Sequence, residues 1–110
     1  MSELEEIQQK AEALNLEFLL IGGLAVIEHG FTRATSDIDL LIRKRNADSW
    51  KQLALDLGYK FLNDGGSFLQ YERPGIASWP LDLMLVNDLT YEELKTNSLA
   101  ANVMGASLRW

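Results

Sequence analysis

Apolar residues recur at Leu4, Ile7, Ala11 and Leu14, a spacing of three and four that lays one hydrophobic stripe along a helix. Ser2, with Glu5 three residues on, has the form of a capping box, in which the side chains satisfy backbone N–H groups left free at a helix start. The chain is therefore predicted to open with a helix. The period then changes. Glu17 to Ile21 is a short apolar run ending at Gly22-Gly23, and Leu24 to His29 reads as a brief helix closed by Gly30, so a strand, turn and helix are expected. Asp37 to Ile42 is apolar on both faces apart from its two aspartates, the pattern of a strand buried on both sides with the aspartates where it begins.

Downstream, Trp50, Leu53, Ala54 and Leu57 share one helical face; Asn46 or Asp48 can cap that helix, Gly58 can stop it, and it is predicted to lie on the sheet. Their spacing reads more simply as core than as a base-stacking platform. Tyr59 to Leu62 and Ser67 to Arg73 flank Asn63-Asp64-Gly65-Gly66, a turn that tolerates positive φ, so an antiparallel hairpin is expected. Phe68, Tyr71 and Trp79 suit either hairpin packing or a base or acceptor pocket, with packing the simpler account. Pro80 to Val86 is the next strand, and Thr90 with Glu93 starts a short helix, near Tyr91 to Lys95, through a second capping box. Leu99 to Trp110 is apolar without a clear terminator, as expected of a surface for a second copy or a partner protein.

Composition narrows the class. A chain of 110 residues, 47% of them hydrophobic, can fill one core, so residues 1–110 are expected to form a single domain. No apolar run reaches the roughly 18 to 20 residues that cross a bilayer, and the acidic start is unlike a signal peptide; the expectation is a cytoplasmic protein with no membrane partner. The absence of cysteine excludes disulfides and thiolate metal sites. A net charge of −6 argues against non-specific DNA or RNA binding, which needs Lys and Arg to neutralise phosphates. The basic run Arg43-Lys44-Arg45 lies a strand length, about 20 Å, from the aspartates and reads as a solvated turn. His29, the single histidine, suits a helix C-terminus, where the dipole favours a cation.

The candidate chemistry lies in three carboxylates. Asp37 and Asp39 alternate with Ile38 on a strand, so they project from one face with Cα atoms roughly 6.6 Å apart and can share a cation. Asp82 sits among Leu81, Leu83, Met84 and Leu85, where a lone ionised carboxylate would cost several kcal/mol to bury. It requires a metal, an arginine partner or an exposed strand end. The oxygen-only set suits a hard divalent ion. Separated from Asp37 by thirteen residues, Gly22 and Gly23 leave backbone N–H groups open to a phosphate. Arg33, Thr35 and Ser36 precede the aspartates and offer donors to phosphate oxygens, or, for Arg33, charge balance to the aspartates.

These features, the hydrophobic-Gly-Gly motif at Ile21 to Gly23, the Asp-hydrophobic-Asp motif at Asp37 to Asp39, and Asp82 on a later strand, resemble the DNA polymerase β-type nucleotidyltransferase superfamily. Within it the chain is similar to small bacterial members of the AbiEii type, known from toxin–antitoxin and phage-defence systems. The resemblance covers about residues 17 to 86. It implies an α+β fold with a mixed sheet flanked by helices. It implies two Mg²⁺ ions, with Mn²⁺ as a substitute, and transfer of a nucleoside monophosphate from a nucleoside triphosphate to a hydroxyl or phosphate acceptor on a protein, a tRNA or a small molecule. By resemblance, Asp37 and Asp39 would bind both ions and Asp82 mainly the acceptor-side ion, with Gly22, Gly23, Arg33, Thr35 and Ser36 on the nucleotide. The helical part that follows in many members is short or absent here. The alternative is an inactive binding module, such as an antitoxin-like subunit.

Overall fold

Helix α1 (Glu3–Ala13) places glutamates in its first turn and Lys10 in its last, charges that complement the helix dipole. It buries Leu4, Ile7 and Ala11. Leu14, the fourth residue of the predicted stripe, lies past the helix end and is exposed. There the chain turns away: Asn15 adopts φ 56°, its N–H donates to the Glu12 carbonyl at 3.1 Å, and the Leu16 N–H donates to the Ala11 carbonyl at 2.8 Å. Those two bonds form a Schellman ending. The computed structural model describes residues 3–21, 38–73, 80–97, 100–103 and 106–109, the last two spans by backbone alone. The predicted helix at Leu24 to His29 lies outside the described residues.

Strands β1 (Leu19–Ile21) and β2 (Ile38–Arg43) follow, then a 3₁₀ turn (Lys44–Asn46) and helix α2 (Ala47–Asp56). Helix α2 buries Trp50, Leu53 and Ala54 and ends as predicted at Gly58, whose φ of +88° an L side chain rarely adopts. Here too the N–H groups of Gly58 and Tyr59 return to Leu55 and Ala54, at 3.0 and 2.9 Å, as a Schellman pair.

Strands β3 (Lys60–Asp64) and β4 (Phe68–Glu72) form the expected hairpin, but its turn is not Asn63 to Gly66. Asp64 still belongs to the strand, Gly65 bonds to the Phe68 carbonyl at 2.9 Å, and the connection shortens to Gly66-Ser67 with φ +88° at Gly66. Positive φ at the first central residue alone is the pattern of a II′ turn, and a bulge between Phe61 and Asn63 absorbs the extra residue.

Strand β5 (Leu81–Val86) leads into helix α3 (Asp88–Thr96). Asn87 caps that helix, its side chain accepting from the Thr90 N–H at 2.8 Å, so the helix starts one turn earlier than the predicted Thr90 box. The apolar C-terminal segment forms a hairpin of β6 (Ala100–Val103) and β7 (Ala106–Arg109), whose backbone runs beside α1 and β1.

The main sheet has the order β1-β2-β5-β4-β3, with β2 and β5 parallel and every other pairing antiparallel. One face carries Leu20, Ile38, Leu40, Ile42, Tyr71, Leu81 and Leu83 into a core shared with α1 and α2. The other face carries Leu19, Leu41, Met84 and Val86 against Tyr91 of α3. The fold is α+β, a mixed sheet between helices.

Candidate functional site

Because side chains alternate along a strand, Asp39, Leu41 and Arg43 share the α3 face of β2, and Asp82, Met84 and Val86 share that face of β5. The parallel register pairs Asp39 directly with Asp82. Their backbones are therefore one strand spacing, about 4.8 Å, apart. The antiparallel neighbours extend this row across the sheet: Ile21 pairs with Asp39, Gln70 with Asp82, and Asn63 with Gln70. Asp39 and Asp82 are both half-buried and both partnered. Pairing continues to the start of the strands, where the Ile38 N–H donates to the Pro80 carbonyl at 2.8 Å.

The structure thus brings together two of the predicted carboxylates, from residues far apart in sequence. Asp37, Gly22, Gly23, Arg33, Thr35 and Ser36 lie outside the described residues, as do His29 and Trp79. Without Asp37, no group of three or more acidic, histidine or cysteine side chains that could hold a metal occurs among the described residues. Two adjacent carboxylates supply only oxygen donors, which fits Mg²⁺ or Mn²⁺ and not a soft metal. Gln70 and Asn63 are the members of the row that sequence reasoning missed. Their signal was the hairpin register, which depends on where the turn falls.

The opposite end of the same face overturns the solvated-turn reading for Arg43. Its side chain is only 6% exposed and ion-paired to Glu17 at 3.2 Å, Asp88 at 3.3 Å and Glu92, with its guanidinium 4.4 Å from the Tyr91 ring centre. The hydrogen bond to Glu92 raises the Arg43 pKa against the opposing effect of burial, and bonds to Glu17 and Asp88 add to it. Lys95, followed by Arg43, lowers the pKa of Glu17 by hydrogen bonding. Lys44 and Arg45 are exposed, as a solvated turn requires. Tyr71 proves to be core, in an edge-to-face contact with Phe61 at 5.7 Å, whereas Phe68 lies on the Asp82 face, in register with Met84. A cavity of about 330 Å³ between α2 and the hairpin, touching Lys51, Phe61 and Tyr71, opens on the other face and includes neither aspartate.

A structure of ANT(2″)-Ia in complex with adenylyl-2″-tobramycin superposes with a TM-score of 0.74 at 21% identity, covering 96% of this chain and 65% of that one. The fold is that of the nucleotidyltransferases. The lincosamide antibiotic adenylyltransferase LnuA, bound to lincomycin, has the same nucleotidyltransferase fold, with a TM-score of 0.62 at 20% identity, 100% of this chain and 69% of that one. A tRNA nucleotidyltransferase complexed with a primer tRNA and an ATP analog matches at 0.54 and 19%, over 76% of this chain and 24% of its own. In sequence, 81 residues are 38% identical to part of a polyphosphate kinase of Parasynechococcus marenigrum, covering 74% of this chain but 11% of that protein. No protein-family model matches the chain. Among the described residues no helix is long and apolar enough to cross a membrane.

Proposed function

We propose that the protein is a metal-dependent nucleotidyltransferase, moving a nucleoside monophosphate from a nucleoside triphosphate to a hydroxyl or phosphate acceptor. The observation that carries this reading is the in-register pairing of Asp39 with Asp82 on adjacent parallel strands of a nucleotidyltransferase fold. Asp37, Asp39 and Asp82 would hold two Mg²⁺ ions, which when bound polarise the α-phosphate and favour the ionised acceptor. Gly22 and Gly23 would cradle the triphosphate, with Arg33, Thr35 and Ser36 as further donors. The acceptor oxygen forms a bond to the α-phosphorus as the bond from that phosphorus to the bridging oxygen breaks; pyrophosphate leaves and the acceptor proton passes to solvent. The solved relatives with adenylylated tobramycin, with lincomycin and with a primer tRNA and an ATP analog support nucleotidyl transfer as the common chemistry, with diverse acceptors.

The test is transfer of α-phosphate label from each ribonucleoside triphosphate, with Mg²⁺ or Mn²⁺, into cell extract, comparing the protein with Asp39→Asn and Asp82→Asn. Label that requires both carboxylates is the expected result. An absence of transfer with every metal, combined with calorimetry showing no metal-dependent triphosphate binding, refutes it and leaves the binding-module alternative.

A further inference from the structure

Beyond the two carboxylates, the polar row continues outward through Gln70 and Asn63. Neighbours in antiparallel register hold their Cβ atoms about 4.5 to 5.5 Å apart, so the Gln70 side chain is within reach of anything bound at Asp82. The Asn63 amide nitrogen donates to the Gln70 carboxamide oxygen at 3.4 Å, and the Gln70 amide nitrogen has no hydrogen-bond partner among the described residues. The next row on this face is apolar, with Phe68 paired to Met84 and both half-buried. A carboxylate, a free amide donor and an apolar shelf therefore lie side by side.

Charge around this row is as informative. A phosphate-bearing acceptor needs cationic partners, and among the described residues the two least exposed cations, Arg43 and Arg73, are committed elsewhere. Arg43 is held by Glu17, Asp88 and Glu92 at the far end of the face, and Arg73 is held by Glu6 at 3.2 Å and stacks on Tyr59, on the α1 side. Lys60, the nearest cation on β3, stands opposite Glu72. An amide donor suits a hydroxyl oxygen, and it requires no counter-charge.

Resting on the nucleotidyl-transfer reading, we propose that Gln70, supported by Asn63 and flanked by Phe68 and Met84, forms the acceptor subsite, and that it takes a phosphate-free, hydroxyl-bearing small molecule with an apolar side.

The experiment uses the full chain with each α-labelled triphosphate and Mg²⁺. Three acceptor pools from cell extract are offered: dialysable material that passes an anion exchanger, dialysable material the exchanger retains, and macromolecules. Label should enter the first pool. With that pool as the varied substrate, Gln70→Ala should raise its half-saturating concentration about tenfold, the cost of one hydrogen bond of about 1.4 kcal/mol, and leave that of the triphosphate unchanged. Asn63→Ala, at an exposed position, should act in the same direction and more weakly, and serves if Gln70→Ala folds poorly. Label in the retained or macromolecular pools overturns the inference while sparing the nucleotidyl-transfer reading. So does an unchanged half-saturation in both variants. Failure of all pools, with no Mg²⁺-dependent triphosphate binding, overturns that parent reading and this inference with it.

Discussion

Replacing Arg43 with methionine keeps most of the aliphatic stem and removes the guanidinium, leaving Glu17, Asp88 and Glu92 converging on a site without its cation. Breaking a fully buried ion pair costs about 3 to 5 kcal/mol. Here only the arginine is buried: its partners' side chains are 44%, 53% and 55% exposed, so solvent screens much of the repulsion left behind. The contact with the Tyr91 ring adds about 1 kcal/mol. A net loss of about 2 to 3 kcal/mol follows, which in a domain of this size lowers Tm by on the order of 10 °C or more. The sign of the pH dependence is also fixed. The Glu17 pKa is lowered in the folded protein, so its contribution to stability is present at neutral pH and fades as pH falls through the carboxylate range. The difference between wild type and Arg43→Met, measured by urea unfolding at several pH values, should thus be largest near neutrality and shrink towards about pH 4, where carboxylates protonate. A difference below about 1 kcal/mol at pH 7, or one indifferent to pH, would refute the idea that this network clamps α3 to the sheet.

Mg²⁺ should raise the Tm of the wild-type protein in a thermal-shift assay, and Asp82→Asn should abolish that response. Gly58→Ala should cost about 1 kcal/mol by chemical denaturation, because Gly58 holds φ +88° with open space around it, so strain and not collision is the penalty. Tyr59→Phe should cost about 1 kcal/mol by losing the 2.9 Å hydrogen bond from its hydroxyl to Glu3. Burial raises the Tyr59 pKa, and the Glu3 bond adds to it, so this contribution is complete below the ordinary tyrosine range near pH 10 and is lost progressively as pH rises from there through the raised folded-state pKa; alkaline titration should weaken wild type more than Tyr59→Phe.

Where hydrophobic period and local punctuation agreed, the fold was legible. Leu4, Ile7 and Ala11 face the core as spaced, Trp50, Leu53 and Ala54 are all buried, and Gly58 ends α2. Period two placed Asp39 and Asp82 on strands, and their direct pairing required only that β2 and β5 be parallel neighbours. What was hidden depended on distant partners or on a one-residue choice. Arg43 looked like the start of a basic turn because its partners lie 26, 45 and 49 residues away in sequence. Asn87 and Thr90 are both competent caps, and the choice fell to Asn87 because β5 runs to Val86 and leaves it as the first residue free to turn. The hairpin turn moved by two residues because Phe68 packs its ring where a Cβ on Gly65 would sit, 2.1 Å from the ring, so that Gly65 lies covered by its neighbour just past the strand end and not in the turn. The terminal hairpin had a signal in Gly105 between two short apolar runs, too weak against the apolar character of the whole segment.

Asp39 and Arg43 stand on the same face of one strand, and opposite charges in contact there would neutralise each other. Four residues of extended chain put about 13 Å between them. Leu41 and Met84, packed under Tyr91, fill that interval with apolar side chains. The arginine turns to α3, where Asp88 and Glu92, one helical turn apart, meet it together with Glu17. The clamp that fixes α3 thereby removes Arg43, the one buried cation on this face among the described residues, from competition for the aspartates. It also holds the helix against Leu41, Met84 and Val86, in the middle and far part of β2 and β5. The same strand face thus carries a stabilising ion cluster at one end and the paired aspartates at the other. An arginine moved two residues earlier, to position 41, would be expected to compete with a divalent ion for both carboxylates.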